Sequence, residues 1–398
     1  MHPPFFLSTL LCLMPIFAFA APPQKTAEEA INAFACDMFA QLKKQEGNLF
    51  FSPLSMAYAL AFTGAGARAQ TLAQMQRVLR ASLDNPQGHE AFAKLMQRLN
   101  AAQNDAQVRV EMANALWPAQ TFSMHTAYVE VAKKYYEAPI FPVDYADSAG
   151  AAKQINTWVE EKTKGHIRNL LNPEDINAAM RLVLTNAVYF NGRWLLPFEA
   201  RQTRPGIFHA PGKEAEVPFM YQKDSFKYGQ VEGLQMLELP YKGEAFSMRV
   251  LLPEDKPGAL EKLEKALSPE RLAQWTKALR LQEVRVVFPK LKLTWGVQDL
   301  KEALVALGMR DAFVLGKANF SGMSAEKDFL ISKVLHKATL EVDEGGTVAT
   351  ATTAFLGTMG GMPPPAPEFR ADRPFLFLIL DNTKGTLLFV GRITNPLQ

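Results

Sequence analysis

Apolar residues take up a helical rhythm near the start of the chain. Ile31, Phe34, Ala35, Met38, Phe39 and Leu42 fall on one face of a 3.6-residue repeat. Thr26 followed by Glu29 forms a capping-box pair ahead of them, so a helix is predicted over 26–45. Asn48-Leu-Phe-Phe51 reads as a short strand. Ser52-Pro53 then starts a second helix, with serine as N-cap and proline in the first turn, and Ser268-Pro269-Glu270 repeats that signal. The same periodicity predicts helices near 68–80, 87–102, 124–136, 150–164, 258–266, 269–279 and 297–307.

Apolar runs predict strands at 108–117, 181–190, 226–239, 246–252, 284–295, 329–342, 375–380 and 387–393. The last two flank Asp381-Asn-Thr-Lys-Gly385, a turn sequence, and should form a hairpin. Helices and strands do not alternate strictly, so the expected class is α+β rather than a doubly wound parallel sheet. No internal repeat or charge-rich linker divides the chain.

Of the 398 residues, 48% are hydrophobic and 21% charged, which is ample apolar material for a large core. The net charge of +3 is spread among interspersed acids and bases and gives no basic face for nucleic acid. Arg68, Arg77, Arg80, Lys94 and Arg98 are likewise too dispersed for a polyanion site.

The N-terminus differs. Residues 5–20, FFLSTLLCLMPIFAFA, carry no charge and end in Ala18-Phe19-Ala20, whose small outer residues fit a signal-peptidase site before Ala21. The run is short for a membrane span and contains Pro15, although the residues before it lack the usual Lys or Arg. The expectation is a signal peptide over 1–20 and a mature chain over 21–398, secreted or periplasmic and not held in a membrane. One cysteine, Cys36, then remains; it lies on the apolar face of the first helix and can form no intramolecular disulfide.

The usual enzyme signatures are missing: no G-x-S-x-G, H-E-x-x-H, Walker loop or G-x-G-x-x-G occurs. The six histidines stand far apart, and one cysteine builds no thiolate metal site, so no metal or cofactor is expected. A hydrolase with a triad drawn from distant residues is the enzymatic alternative, to be tested by ester turnover. His336 lies inside an apolar strand and reads as a buried histidine in need of a partner, with Ser52, Ser55 and Asn186 as candidates.

Residues 345–367, GGTVATATTAFLGTMGGMPPPAP, contain no charge at all. Thr347, Val348, Thr350, Thr352, Thr353 and Phe355 favour β structure, while Ala349, Ala351 and Ala354 are small. Either face of such a strand can be buried without the penalty of an unpaired ion. Gly345-Gly346 supplies a hinge and Pro363 to Pro365 a stiff spacer. Composition leaves two readings open: a plain connector, or a loop able to enter a sheet. Entering between two strands gains on the order of 10 kcal/mol of net hydrogen bonding, at about 1 kcal/mol per bond.

Several stretches, in order, decide between them. They are Asn48-Leu-Phe-Phe-Ser-Pro-Leu-Ser55, Leu184-Thr-Asn-Ala-Val-Tyr-Phe-Asn-Gly-Arg-Trp194, Phe288-Pro-Lys290 and Leu307-Gly-Met-Arg-Asp-Ala-Phe313. Further on come His336-Lys-Ala338, Glu341-Val-Asp-Glu-Gly-Gly-Thr-Val-Ala349, Phe369-Arg-Ala-Asp-Arg-Pro-Phe-Leu-Phe377 and Phe389-Val-Gly-Arg-Ile-Thr-Asn-Pro396. With them the chain resembles the serpin family from about residue 26 onward.

The resemblance implies a fold of three β-sheets with eight or nine helices and an exposed reactive-centre loop at about 344–368. It implies no enzyme but a suicide-substrate inhibitor, acting as a monomer on a serine or cysteine protease. The cleaved loop inserts into the central sheet and traps the acyl-enzyme. By the same resemblance Glu344, Gly345, Gly346, Thr347, Val348, Ala349, Thr350 and Ala351 form the hinge. Ser52, Ser55, Asn186 and His336 form a shutter cluster beneath the opening strands, and Trp194, Lys290 and Glu344 a breach cluster where the loop enters. Val348 stands where the family usually has an acid, at an outward-facing position. Family spacing puts the scissile bond at Gly360–Gly361, or at Met359–Gly360 in a loop one residue shorter. Met359 is preferred because its side chain suits elastase-, chymotrypsin- or subtilisin-like pockets. A non-inhibitory member, serving as a binding or chaperone-like module, is the alternative.

Overall fold

The computed structural model describes residues 25–106, 108–346 and 365–397; the expected signal peptide and residues 347–364 lie outside them. The described residues contain nine α-helices: α1 (Ala27–Leu42), α2 (Pro53–Gly64), α3 (Ala69–Leu79), α4 (Pro86–Ala106), α5 (Thr126–Val131), α6 (Ser148–Lys162), α7 (Ala259–Ala266), α8 (Pro269–Thr276) and α9 (Lys301–Ala306). Their thirteen strands are β1 (Leu49–Phe51), β2 (Val108–Pro118), β3 (Leu182–Gly192), β4 (Arg204–Ala210), β5 (Lys213–Val231), β6 (Leu234–Pro240), β7 (Phe246–Pro253), β8 (Arg280–Pro289), β9 (Leu291–Asp299), β10 (Ile331–Val342), β11 (Glu368–Arg370), β12 (Phe375–Asp381) and β13 (Leu387–Ile393).

The local start signals act as the sequence suggests. Thr26 and Glu29 close a reciprocal capping box on α1. Ser52 and Ser268 each accept the backbone N–H three residues on, at the heads of α2 and α8. All twelve residues of α2 are buried. That helix packs against β2, β3 and β13, so it lies between the two sheets and inside a continuous apolar core.

The smaller sheet has the order β2-β3-β10-β9. The larger hydrogen-bonded ladder has nine strands, in the order β1-β13-β12-β7-β6-β5-β8-β11 with β4 also on β5. Its two parts meet in the 19-residue β5. The first part of β5 pairs with β4 and β8, and only Lys227–Val231 pairs with β6. One continuous strand thus joins two groups of strands, and with the smaller sheet these make the three-sheet α+β architecture.

Some predicted boundaries shift for identifiable reasons. The run 284–295 divides at Lys290, because β8 pairs with β5 whereas β9 pairs with β10 in the other sheet. The run 226–239 divides at Glu232 and Gly233, both at positive φ, which turn β5 into β6. The β4–β5 hairpin was hidden by its prolines; Pro205 and Pro218 face each other in register, with β4 at an edge where proline costs no ladder bond. Among the described residues no helix is long and apolar enough to cross a membrane.

Aromatic packing ties the chain's ends together. Phe50 of β1 stacks on Phe389 of β13 at 5.0 Å and on Phe377 of β12 at 5.7 Å, all nearly solvent-free. Replacing so large a buried side chain leaves a cavity, so Phe50→Ala should cost about 3–5 kcal/mol, read as a lower urea midpoint with an unchanged slope.

Candidate functional site

β3 and β10 are adjacent and parallel, with Ile331 opposite Leu182 and Leu340 opposite Phe190. Parallel pairing is slightly weaker per residue than antiparallel pairing. The chain leaves β10 at Val342 and turns back at once. A segment that returned from this end between β3 and β10 would run antiparallel to both, and would replace one parallel interface with two antiparallel ones.

One row of polar side chains crosses this seam. Asn114 of β2 lies opposite Asn186 of β3, and Asn186 opposite His336 of β10. Asn186 Nδ2 donates to Ser55 Oγ and Asn114 Oδ1, both at 2.6 Å. Ser55 Oγ donates to Asn114 Oδ1 at 3.0 Å. On the other side His336 Nδ1 meets Asn186 Oδ1, while its Nε2 faces the Ser52 N–H at 3.4 Å. The two contacts define a neutral imidazole with its proton on Nδ1. His336 has no exposed surface, and burial lowers its pKa to about 3 despite the Asn186 contact. A neutral ring sealed from solvent cannot reach a substrate, so this histidine is structural, and Ser52, Ser55 and Asn186 all stand around it. Asn114 was not foreseen; its signal was an isolated amide in the apolar run Met112-Ala-Asn-Ala-Leu-Trp117.

A second group closes the top of the seam. Lys290 Nζ meets Glu344 Oε2 at 2.8 Å, and Thr203 Oγ1 donates to Glu344 Oε1 at 2.7 Å. Partial burial pushes the Glu344 carboxyl up, but Lys290 and Thr203 outweigh it and hold it below the usual value. Trp194 Nε1 donates to the Asp343 carbonyl at 3.0 Å, and its ring stacks on Tyr241 at 4.6 Å. The backbone is gripped as well: Trp194 N–H donates to Gly345 O, and Phe198 N–H to Glu344 O. Gly346 has φ +80°, and a Cβ there would lie 2.3 Å from the Trp194 nitrogen and 2.4 Å from the Gly192 carbonyl. No residue with a side chain fits where this strand end crosses the end of β3. Thr203 gave no sequence signal, being 141 residues from its partner. Thr347, Val348, Ala349, Thr350 and Ala351, and the bond candidates Met359, Gly360 and Gly361, lie outside the described residues.

The site thus comprises a buried neutral histidine in the paired parallel β3–β10 seam and a strand end held across the end of β3. Residues 29–396 match the family model described as Serpin (serine protease inhibitor). The chain therefore belongs to the serpins, a family of protease inhibitors rather than catalysts. It is 38% identical over 376 residues to an uncharacterized serpin-like protein of Thermococcus kodakarensis, covering 94% of this chain and 86% of that one. It is also 38% identical over 378 residues to the leukocyte elastase inhibitor of Homo sapiens, covering 92% and 98%. Among solved structures it is similar to native protease nexin-1 with heparin (TM-score 0.83, 31% identity, 93% of this chain and 99% of that one). Uncleaved ovalbumin gives a TM-score of 0.84 at 29% identity, covering 94% and 100%. Protease inhibition is the activity that these relationships support.

The histidine carries a pH signature. The unfolded chain binds a proton near the ordinary value of about 6.5, whereas folded His336 resists until about 3. Stability is thus intact above the unfolded value and falls as pH drops between the two, by up to about 1.4 kcal/mol per pH unit. His336→Gln should remove this component, measured as the urea midpoint from pH 7 to pH 4. Separately, Lys290→Met leaves Glu344 without its cation and should lower the thermal midpoint by a few degrees while preserving the fold by circular dichroism.

Proposed function

We propose that this chain is a suicide-substrate inhibitor of serine proteases with elastase-, chymotrypsin- or subtilisin-like pockets, and of cysteine proteases by the same route. The observation that carries this reading is the parallel β3–β10 seam, with Glu344, Gly345 and Gly346 leading the chain to its open end. The protease serine oxygen attacks the carbonyl carbon of Met359. The Met359–Gly360 bond breaks, the Gly360 nitrogen takes a proton and leaves as an amine, and an ester joins Met359 to the enzyme. The freed segment enters the seam as an antiparallel strand and draws the esterified protease with it before water can cleave the ester.

Alternation along that strand turns Thr347, Ala349, Ala351 and Thr353 inward, and all four are small enough to pass between β3 and β10. In this role Ser52, Ser55, Asn186 and His336 form the shutter that must part. Trp194, Lys290 and Glu344 form the breach that lets the hinge, Glu344 to Ala351, start. The unit is the mature chain 21–398 acting as a monomer, without cofactor. Export to the periplasm or medium is part of the proposal, supported by the apolar run 5–20 and its Ala18-Phe19-Ala20 ending. Mass spectrometry of protein expressed with this leader should then find Ala21 at the N-terminus.

Incubation with elastase or subtilisin should yield a band at the summed mass that survives denaturation, and trypsin should give none because no Lys or Arg lies in 345–367. The peptide released should begin at Gly360. Clean cleavage without such a band would favour the non-inhibitory alternative and sink the proposal. Ala349→Pro or Thr347→Arg should divert at least tenfold more of the protein from complex to cleaved product, because insertion then loses the race against deacylation.

A further inference from the structure

A second buried histidine lies away from the seam. His89, near the start of α4, rests against the end of α5, where the chain passes through one π-helical turn, Ala132–Tyr136, and stops at Glu137 with φ +47°. His89 Nδ1 is 2.7 Å from Tyr136 Oη, and the two rings meet edge to face at 5.7 Å. Tyr58 of α2 donates to the Tyr136 carbonyl at 2.8 Å, and its ring also meets the Tyr136 ring edge to face. Tyr136 thus ties α4, α2 and the π-turn together. Directly beyond it the chain becomes the outer neighbour of β2: Leu116 N–H donates to Pro139 O, Phe141 N–H to Leu116 O and Val143 N–H to Pro118 O.

The contact between His89 and Tyr136 accommodates one hydrogen. The Tyr136 hydroxyl is buried, and His89 is its one polar partner among the described residues. Burial, reinforced by Tyr58, pushes the Tyr136 pKa well above the ordinary value, so the hydroxyl keeps its proton. With a neutral imidazole it donates to Nδ1 and is satisfied. An imidazolium carries a hydrogen on Nδ1 as well, and the hydroxyl then has no acceptor. The ring is only 8% exposed, so the new charge also loses hydration. Burial accordingly lowers the His89 pKa, and Asp84, in the turn before α4, acts in the opposite sense. The other ionisable groups on the packed elements are Glu90, paired with Lys94 on α4, and Lys134, Tyr135 and Glu137 around the π-turn. On α1, Glu28 pairs with Arg98 towards the other end of α4, and on β2, Glu111 pairs with Lys164.

We propose that this joint is an acid-operated release: proton uptake by His89 frees the first turns of α4 and the π-turn, and with them the 139–143 edge beside β2. The folded ring takes up a proton less readily than the unfolded chain does, so the joint is intact above the ordinary histidine value of about 6.5 and loosens as pH falls below it. His336 stays neutral in the folded state until about pH 3 and does not act in this window. The inference concerns the fold and stands apart from the inhibitory reading, so its test needs no protease.

The test is native-state hydrogen exchange of the intact protein from pH 7 to pH 5, read by mass spectrometry, with exchange times scaled to the intrinsic rates. Peptides covering 86–94 and 130–143 should exchange at least tenfold faster at pH 5, while those covering β12 and β13 stay unchanged. His89→Gln keeps an acceptor for the Tyr136 hydroxyl and cannot gain a proton, so its exchange should not change over this range. Asp84 is exposed, and Asp84→Asn should move the midpoint of the opening to lower pH by removing the charge that favours the imidazolium. Exchange in the parent that ignores pH, an acid increase that persists in His89→Gln, or an unmoved midpoint in Asp84→Asn overturns the proposal.

Discussion

The contact between β3 and β10 governs the rest of the molecule. Two parallel strands share one set of hydrogen bonds along the middle of a four-stranded sheet, and parallel ladders are the weaker kind. A strand between them would satisfy twice as many backbone groups. The sheet is therefore complete but not saturated. What keeps the pair closed is local: the Asn114–Asn186–His336 row crosses the seam in a dry interior, where losing a partner costs about 1–3 kcal/mol per group. Parting the strands without a replacement strand exposes those groups to no partner. Parting them as a strand enters gives the neighbouring backbone new ones. In the proposed mechanism the barrier is thus high for idle opening and lower for filled opening.

The upper end of the seam is held by different forces. Backbone bonds from Trp194 and Phe198 fix where residues 344 and 345 lie, and the Glu344 carboxylate is secured by Lys290 and Thr203. Gly346 then crosses the end of β3 at a point where no side chain fits. In the proposed mechanism this makes the entry point a matter of backbone geometry. In the same proposal, what passes the Asn186–His336 level carries neither charge nor bulk, and the composition of 347–354, uncharged and built of small residues, Thr and Val, meets that demand.

Much of this was legible in the sequence, and the losses have physical causes. Helix starts were clear because capping is local: Thr26, Ser52 and Ser268 each act within three residues. The need of His336 for partners was legible because an imidazole in an apolar strand must be satisfied somewhere. Asn114 escaped because one amide among small and apolar residues looks like noise until register places it beside Asn186. Strand ends at Lys290 and at Glu232–Gly233 escaped because each divides one apolar run between different partners, and partnering is a long-range property. The β4–β5 hairpin escaped because proline and glycine read as turn in a one-dimensional pattern, although an edge strand tolerates them.

Lys290 stands alone between β8 and β9, the last residue of neither strand and the shortest of the covalent links between the large ladder and the small sheet. Its ammonium holds the Glu344 carboxylate, two residues beyond the end of β10. One residue thus serves both as the connection between two layers and as the cation that secures the carboxylate at the mouth of the seam.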